Sequence, residues 1–112
     1  MNLRRWDLVF VRIDEKDIVG HPAVVLSHEG RLTNPKIERI NVLAGTKKQA
    51  GETARDHHVI LNGADGLEFL TLVDCSFLYV VRKTSILRSS GTVALESRNA
   101  IQRKVRAYLG LG

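Results

Sequence analysis

The stretch WDLVFVRI, Trp6 to Ile13, constrains this chain more than any other part of it. A strand points alternate side chains to opposite faces. Leu8 and Phe10 therefore share one face, and Val9, Val11 and Ile13 share the other. Both faces are apolar, which is the mark of a strand covered on both sides. Such a strand needs a barrel core on one side and a helix or a second subunit on the other. With 112 residues, the chain reads as one domain spanning 1–112 with room for one core.

The rest of the chain repeats this theme of short strands between polar breaks. DEKDIVG, Asp14 to Gly20, is a polar connection. Pro22 has no N–H and belongs at the start of a strand, which Ala23 to Leu26 continue. HEGRLTNP, His28 to Pro35, carries Gly, Asn and Pro and reads as a loop. Lys36 to Ala44 form a third strand, with Ile40 and Val42 alternating with Arg39 and Asn41. GTKKQAGETARD, Gly45 to Asp56, is a long polar loop of the kind that is functional or mobile. His57 to Leu61 form a short strand, and NGADG, Asn62 to Gly66, carries the Asn-Gly hairpin signal. Leu67 to Arg82 is the longest apolar segment. It is too long for one straight strand, so a bend or bulge is expected at Asp74 to Ser76.

The period then changes. Ile101, Val105, Tyr108 and Leu109, with Ala100 beside them, share one face of an amphipathic helix over about residues 96–110. Ser97 is the expected N-cap and Gly110 the stop. Five strands and one helix make a mainly β fold, a small bent barrel with a C-terminal helix packed on it.

Composition narrows the classes. Hydrophobic residues are 44% and charged residues 26%, an ordinary globular balance rather than a disordered one. No apolar run approaches the roughly 20 residues that span a bilayer, so no membrane association is expected. The Asp within MNLRRWDLVF and the lack of a cleavage site argue against a signal peptide. One cysteine excludes an intramolecular disulfide and fits a reducing cytoplasm. A net charge of +5 suits a polyanionic partner.

Two runs deliver polar groups to strand ends: HPAVVLS, His21 to Ser27, and INVLAGT, Ile40 to Thr46. Their order resembles the PemK/MazF family, toxins of bacterial type II toxin–antitoxin pairs. RRWDLVFV stands where that family has a basic opening and a GD-V-like strand. HPAVVLS stands at its R-P-A-V-V-L-S, and INVLAGT at the strand ending in its catalytic Thr. HHVIL matches its H-V-x-L strand, and GLEFLTLVDCS resembles the segment that follows. The resemblance covers nearly the whole chain. It implies a small SH3-like barrel (PemK/MazF/CcdB-like) and usually a homodimer. It also implies a metal-independent endoribonuclease acting on single-stranded RNA, inhibited by an acidic antitoxin and needing no cofactor. Other proteins on this scaffold bind partners without cutting RNA.

On this resemblance Thr46 is the catalytic hydroxyl. On its own chemistry, Thr46 either orients a phosphate or simply turns the chain after a strand. His21 stands where the family has Arg. An imidazole titrates near neutral pH and serves as acid or base, but lacks the permanent planar charge of a guanidinium. Three roles stay open to it: a changed mechanism, a domain that has lost RNase activity, or a solvated strand-start residue. A second departure follows Asp74, where Cys75, Ser76, Phe77 and Leu78 stand in place of the family's Q-x-R-T, so its second Arg is absent. Ser27, Arg31, Lys47 and Lys48 are the expected RNA contacts. His57 and His58 are adjacent on a strand and point apart, and with one cysteine no zinc site is expected. Cys75, Trp6, Phe69, Phe77 and Tyr79 lie in apolar strands and are read as core.

Overall fold

The computed structural model describes residues 2–111. Seven strands and two helices follow one another: β1 (Asp7–Val11), β2 (His21–Val25), α1 (Glu29–Thr33), β3 (Arg39–Lys47), β4 (His58–Leu61), β5 (Thr71–Asp74), β6 (Tyr79–Arg82), β7 (Ile86–Thr92) and α2 (Leu95–Leu109). All pairings are antiparallel, in the order β4-β5-β3-β2-β1-β7, with β6 also on β3. β3 is long enough to serve two sheets. Its first half pairs with β6 from Arg39 to Val42, and its last three residues pair with β5. The sheet bends where β3 passes from one partner to the other. Gly45 lies at that crossing, and a Cβ there would come within 2.8 Å of Thr71 Cγ2.

β1 is buried at every position. Leu8 and Phe10 enter a core with Val24, Leu43, Leu61, Val73, Cys75 and Ile101. Val9 and Val11 enter a second core with Leu3, Val25, Leu32, Ile40 and Ile86. The two-faced reading of WDLVFVRI holds, except that Ile13 lies beyond the strand and is exposed. α2 covers the first core through Ile101, with Ala100 and Val105 packed against it. The second core is covered in part by α1, through Leu32.

α1 corrects the expected loop at His28 to Pro35. Its N-cap is His28, whose Nδ1 accepts the Gly30 N–H at 3.0 Å. Thr33 donates its hydroxyl to the Glu29 carbonyl at 2.8 Å. A helix of five residues is too short to show a 3.6-residue period, so its Gly and Asn dominate the sequence signal. The expected third strand ran to Ala44, but the observed one continues through Gly45, Thr46 and Lys47 because β5 pairs with them. The Asn-Gly hairpin is not a tight turn. Asn62 instead caps a 3₁₀ turn, Gly63–Asp65, and β4 and β5 first pair at Leu61 and Thr71. The long apolar segment breaks into β5 and β6 at the expected place. There the Asp74 carboxylate accepts both the Ser76 N–H, at 2.8 Å, and the Ser76 hydroxyl, at 2.6 Å. β7 was not anticipated: Leu87 to Thr92 is rich in Ser and Gly, and its strand character comes from pairing with β1.

α2 starts two residues before Ser97, so Ser97 is not its cap. Ala94 precedes the helix and offers no capping side chain. The buried Asp65 carboxylate accepts the Ala94 N–H at 2.7 Å instead. Gly110 ends the helix at φ 69°, as expected. Lys104 ties α2 to the chain before β4, donating to the Asp56 and His58 carbonyls at 2.7 and 2.8 Å.

Candidate functional site

An open cleft of about 720 Å³ lies at the head of β2 and the end of β3. Its floor is Phe10 of β1. One wall is the start of β2, Gly20 to Pro22, and the end of β3, Gly45 to Lys47. The other is the Gly66 to Phe69 loop, with Arg88 and Ser90 of β7. His21, Thr46 and Lys47, widely separated in sequence, are thus brought together. The β2–β3 register explains why. Ala23 pairs with Ala44, and two residues further the same register sets His21 level with Thr46. Side chains directly opposite on antiparallel strands share a face.

His21 is held rather than loose. Its Nδ1 lies 3.1 Å from Asp17 Oδ2 while the ring stays 55% exposed. Asp17 also accepts the Gly20 N–H at 2.8 Å and the Ile13 N–H at 3.1 Å. These backbone bonds, Gly20 foremost, hold its carboxyl below the usual range, with a smaller contribution from His21. The Asp17 carboxylate is thus placed to accept an N–H from Nδ1 of His21. That leaves Nε2 as the open, basic nitrogen. The Asp-x-x-x-His spacing was present in DEKDIVGH, but a four-residue separation in a polar loop carries no helical or strand period to mark it.

Arg88 is the other group that the sequence did not bring forward. Its guanidinium lies 4.0 Å from the Phe10 ring centroid, and Nη1 donates to the Val19 carbonyl at 2.8 Å. Lys47 Nζ lies 5.2 Å from the Phe69 ring centroid. Glu68 is an exposed carboxylate on the opposite wall. Among the described residues, no carboxylate lies within ion-pairing distance of Arg88 or Lys47.

The other expected contacts lie elsewhere. Lys48 follows β3 and does not line the cleft; its N–H bonds the Leu70 carbonyl at 2.8 Å. Ser27 is buried, and its hydroxyl accepts the Asn41 N–H at 2.8 Å, a role internal to the β2–β3 pair. Arg31 is on α1 and donates to the Arg39 carbonyl at 3.0 Å. Cys75 is core, its thiol pushed up to about 11 by burial. Phe77 and Tyr79 are not core. Phe77 precedes β6 and Tyr79 opens it; they are 58% and 45% exposed, with ring centroids 4.9 Å apart. This strand is too short, and too near the edge, for both faces to be covered. The His57 and His58 rings lie 4.2 Å apart, tilted by 50°, instead of pointing apart, because β4 begins only at His58. Among the described residues, no group of three or more His, Cys, Asp or Glu is placed to hold a metal, and no helix is long and apolar enough to cross a membrane.

No protein-family model and no curated protein sequence matches the chain. Solved structures do. An endoribonuclease in complex with its cognate antitoxin, from a mycobacterial species, superposes with a TM-score of 0.77 at 15% identity, covering 99% of this chain and 96% of that one. The Mycobacterium tuberculosis toxin MazF-mt6 gives 0.75 at 15% identity over 95% and 98%. MazF of a MazE–MazF complex from Deinococcus radiodurans gives 0.76 at 15% identity over 98% and 97%. At such low identity, agreement over nearly the full length of both chains establishes architecture: this chain has the fold of the MazF toxins.

Proposed function

We propose that this protein is a PemK/MazF-like toxin, an endoribonuclease that cleaves single-stranded RNA without a metal ion. The observation that carries the reading is the convergence of His21, Thr46 and two unpaired cations on one open cleft. RNA is cut when its own 2′-hydroxyl attacks the adjacent phosphorus and expels the 5′-oxygen. The reaction needs a proton acceptor, a proton donor and positive charge near the phosphate. His21, oriented by Asp17, takes the proton from the 2′-hydroxyl, and the departing 5′-oxygen takes a proton from water in the open cleft. The Thr46 hydroxyl donates to a non-bridging phosphate oxygen, and Lys47 balances the charge that develops there.

The partner that restrains such a toxin is an acidic antitoxin segment, which suits a cleft of this charge and a chain of net charge +5. The working unit is a homodimer. The exposed Phe77 and Tyr79, with ring centroids 4.9 Å apart, supply an apolar surface for a second subunit to cover. The site of action is the cytoplasm. Purified protein is expected to cleave long single-stranded RNA in the presence of EDTA, leaving 2′,3′-cyclic phosphate ends. His21→Ala and Thr46→Ala should each slow cleavage about a hundredfold, the lower range for a lost acid–base or oxyanion-type contact. Wild-type rates in both variants would place the chemistry elsewhere.

A second reading has its own observation. The arginine positions of the resembling motifs hold His21 in β2 and Phe77 after β5. A domain without those arginines is a non-catalytic SH3-like module that binds nucleic acid or a protein. Salt-sensitive RNA binding with no cleavage at any pH would select this reading.

A further inference from the structure

We infer that Arg88 is the phosphate-binding guanidinium of the cleft, delivered from β7 to the place where β2 carries an imidazole. The inference rests on the RNA reading above and adds to it the group that grips the substrate backbone.

Phe10 is paired with Pro22 on one side and with Arg88 on the other. The three side chains therefore share the face of the sheet that floors the cleft. Backbones two strands apart are separated by about 10 Å. The Arg88 side chain covers half of that span, because its guanidinium lies over the Phe10 ring on the strand between. It thus reaches the cleft from the β7 side, and His21 lines the same cleft from the head of β2.

The group is also oriented in advance. The aromatic face below and the Val19 carbonyl at 2.8 Å fix the plane of the fork. One Nη donor is used by that carbonyl, and the remaining donors are free to meet two phosphate oxygens side by side. No carboxylate lies within ion-pairing distance of it among the described residues. Lys47, by contrast, is a point charge on a flexible stem at the rim. Val19 and Asp17 belong to the same β1–β2 connection, so one short segment orients both Arg88 and His21.

The test uses a mixed-sequence 2′-O-methyl oligoribonucleotide, which lacks the attacking hydroxyl, and reads binding by fluorescence anisotropy over a salt series. Arg88→Met keeps an apolar contact with Phe10 and removes the charge. It should weaken binding roughly tenfold, the low end for a hydrogen bond to a charged group. It should also lower the slope of log affinity against log salt by about 0.7, the value for one phosphate contact on a single strand. Arg88→Lys should keep the slope and lose part of the affinity. In His21→Arg/Arg88→Met, a guanidinium returned on β2 should restore the slope. Arg88 is exposed, so neither single variant disturbs the core. Matching far-UV spectra are the check, with Arg88→Gln read in the same way should Met fail it. Wild-type binding with an unchanged affinity and slope in Arg88→Met would overturn the inference and leave the RNA reading standing. No salt-dependent binding by the wild type would overturn both.

Discussion

Asp65→Ala should cost more stability than any other single change outside the apolar core. The carboxylate is 1% exposed and makes two bonds, both to backbone N–H groups: Asn62 at 3.0 Å and Ala94 at 2.7 Å. One closes the 3₁₀ turn after β4, and the other stands in for the missing cap of α2. The positive end of the helix dipole favours the charge there. Bonds to an ionised partner contribute about 1.5–3 kcal/mol each, and the cost of keeping the carboxylate dry offsets part of the sum. A net loss of about 3 kcal/mol is expected. Unfolding entropy of about 2.1 cal/mol/K per residue gives about 0.24 kcal/mol/K for the 112 residues. The melting temperature should therefore fall by about 12 °C, read by far-UV circular dichroism. Asp65→Asn keeps one acceptor and should lose about half as much. The turn also seats one wall of the cleft. Gly66, at φ 92°, packs so closely on β7 that a Cβ would come within 2.9 Å of the Ser90 carbonyl. RNA affinity should fall with stability in the Ala variant. A melting temperature within about 3 °C of wild type would refute the capping argument.

Other outcomes follow from the same geometry. Burial, foremost, and the neighbouring His57 push the His58 imidazole below its ordinary value, and its Nδ1 accepts the Arg55 N–H at 3.0 Å. The unfolded chain therefore takes up this proton first. Stability conferred by the neutral ring is lost as pH falls through about 6.5, before the lowered carboxyls of Asp17 and Asp74 matter. The urea midpoint should drop between about pH 7 and about pH 5.5, and less so in His58→Asn; equal slopes would discount the ring. Cys75, with its thiol pushed up to about 11, should react with a disulfide reagent at neutral pH only as fast as the protein opens. Prompt labelling in buffer would contradict its burial. In ¹⁵N spectra, neutral His21 should show the Nδ1–H form, and Asp17→Ala should move it toward the Nε2–H form and slow RNA cleavage. An unchanged tautomer would leave Asp17 a loop-holding residue only.

The elements legible in the sequence were those with a local period. β1 announced burial on both faces, the Ile101–Val105 face announced α2, and Gly110 ended it as only a left-handed residue does readily. HPAVVLS and INVLAGT gave β2, β3 and two of the side chains that meet in the cleft. Elements without a period were missed or misdrawn. α1 is too short to show one, and the polar β7 is a strand only because β1 lies beside it. Ser27 and Arg31 look as suited to RNA as Lys47 does, until the register assigns them to internal bonds away from the cleft.

Local chemistry, then, determined which segments could be strands and which residue types were on offer, because both depend on neighbours one to four positions away. The tertiary structure decided which of those residues meet. Arg88 comes to lie over Phe10, and Asp65 closes the start of α2, across separations that no local pattern encodes. The imidazole at the head of β2 was visible in the sequence. The aspartate that orients it and the guanidinium that shares its cleft are set by loop closure and sheet order, which only the folded chain fixes.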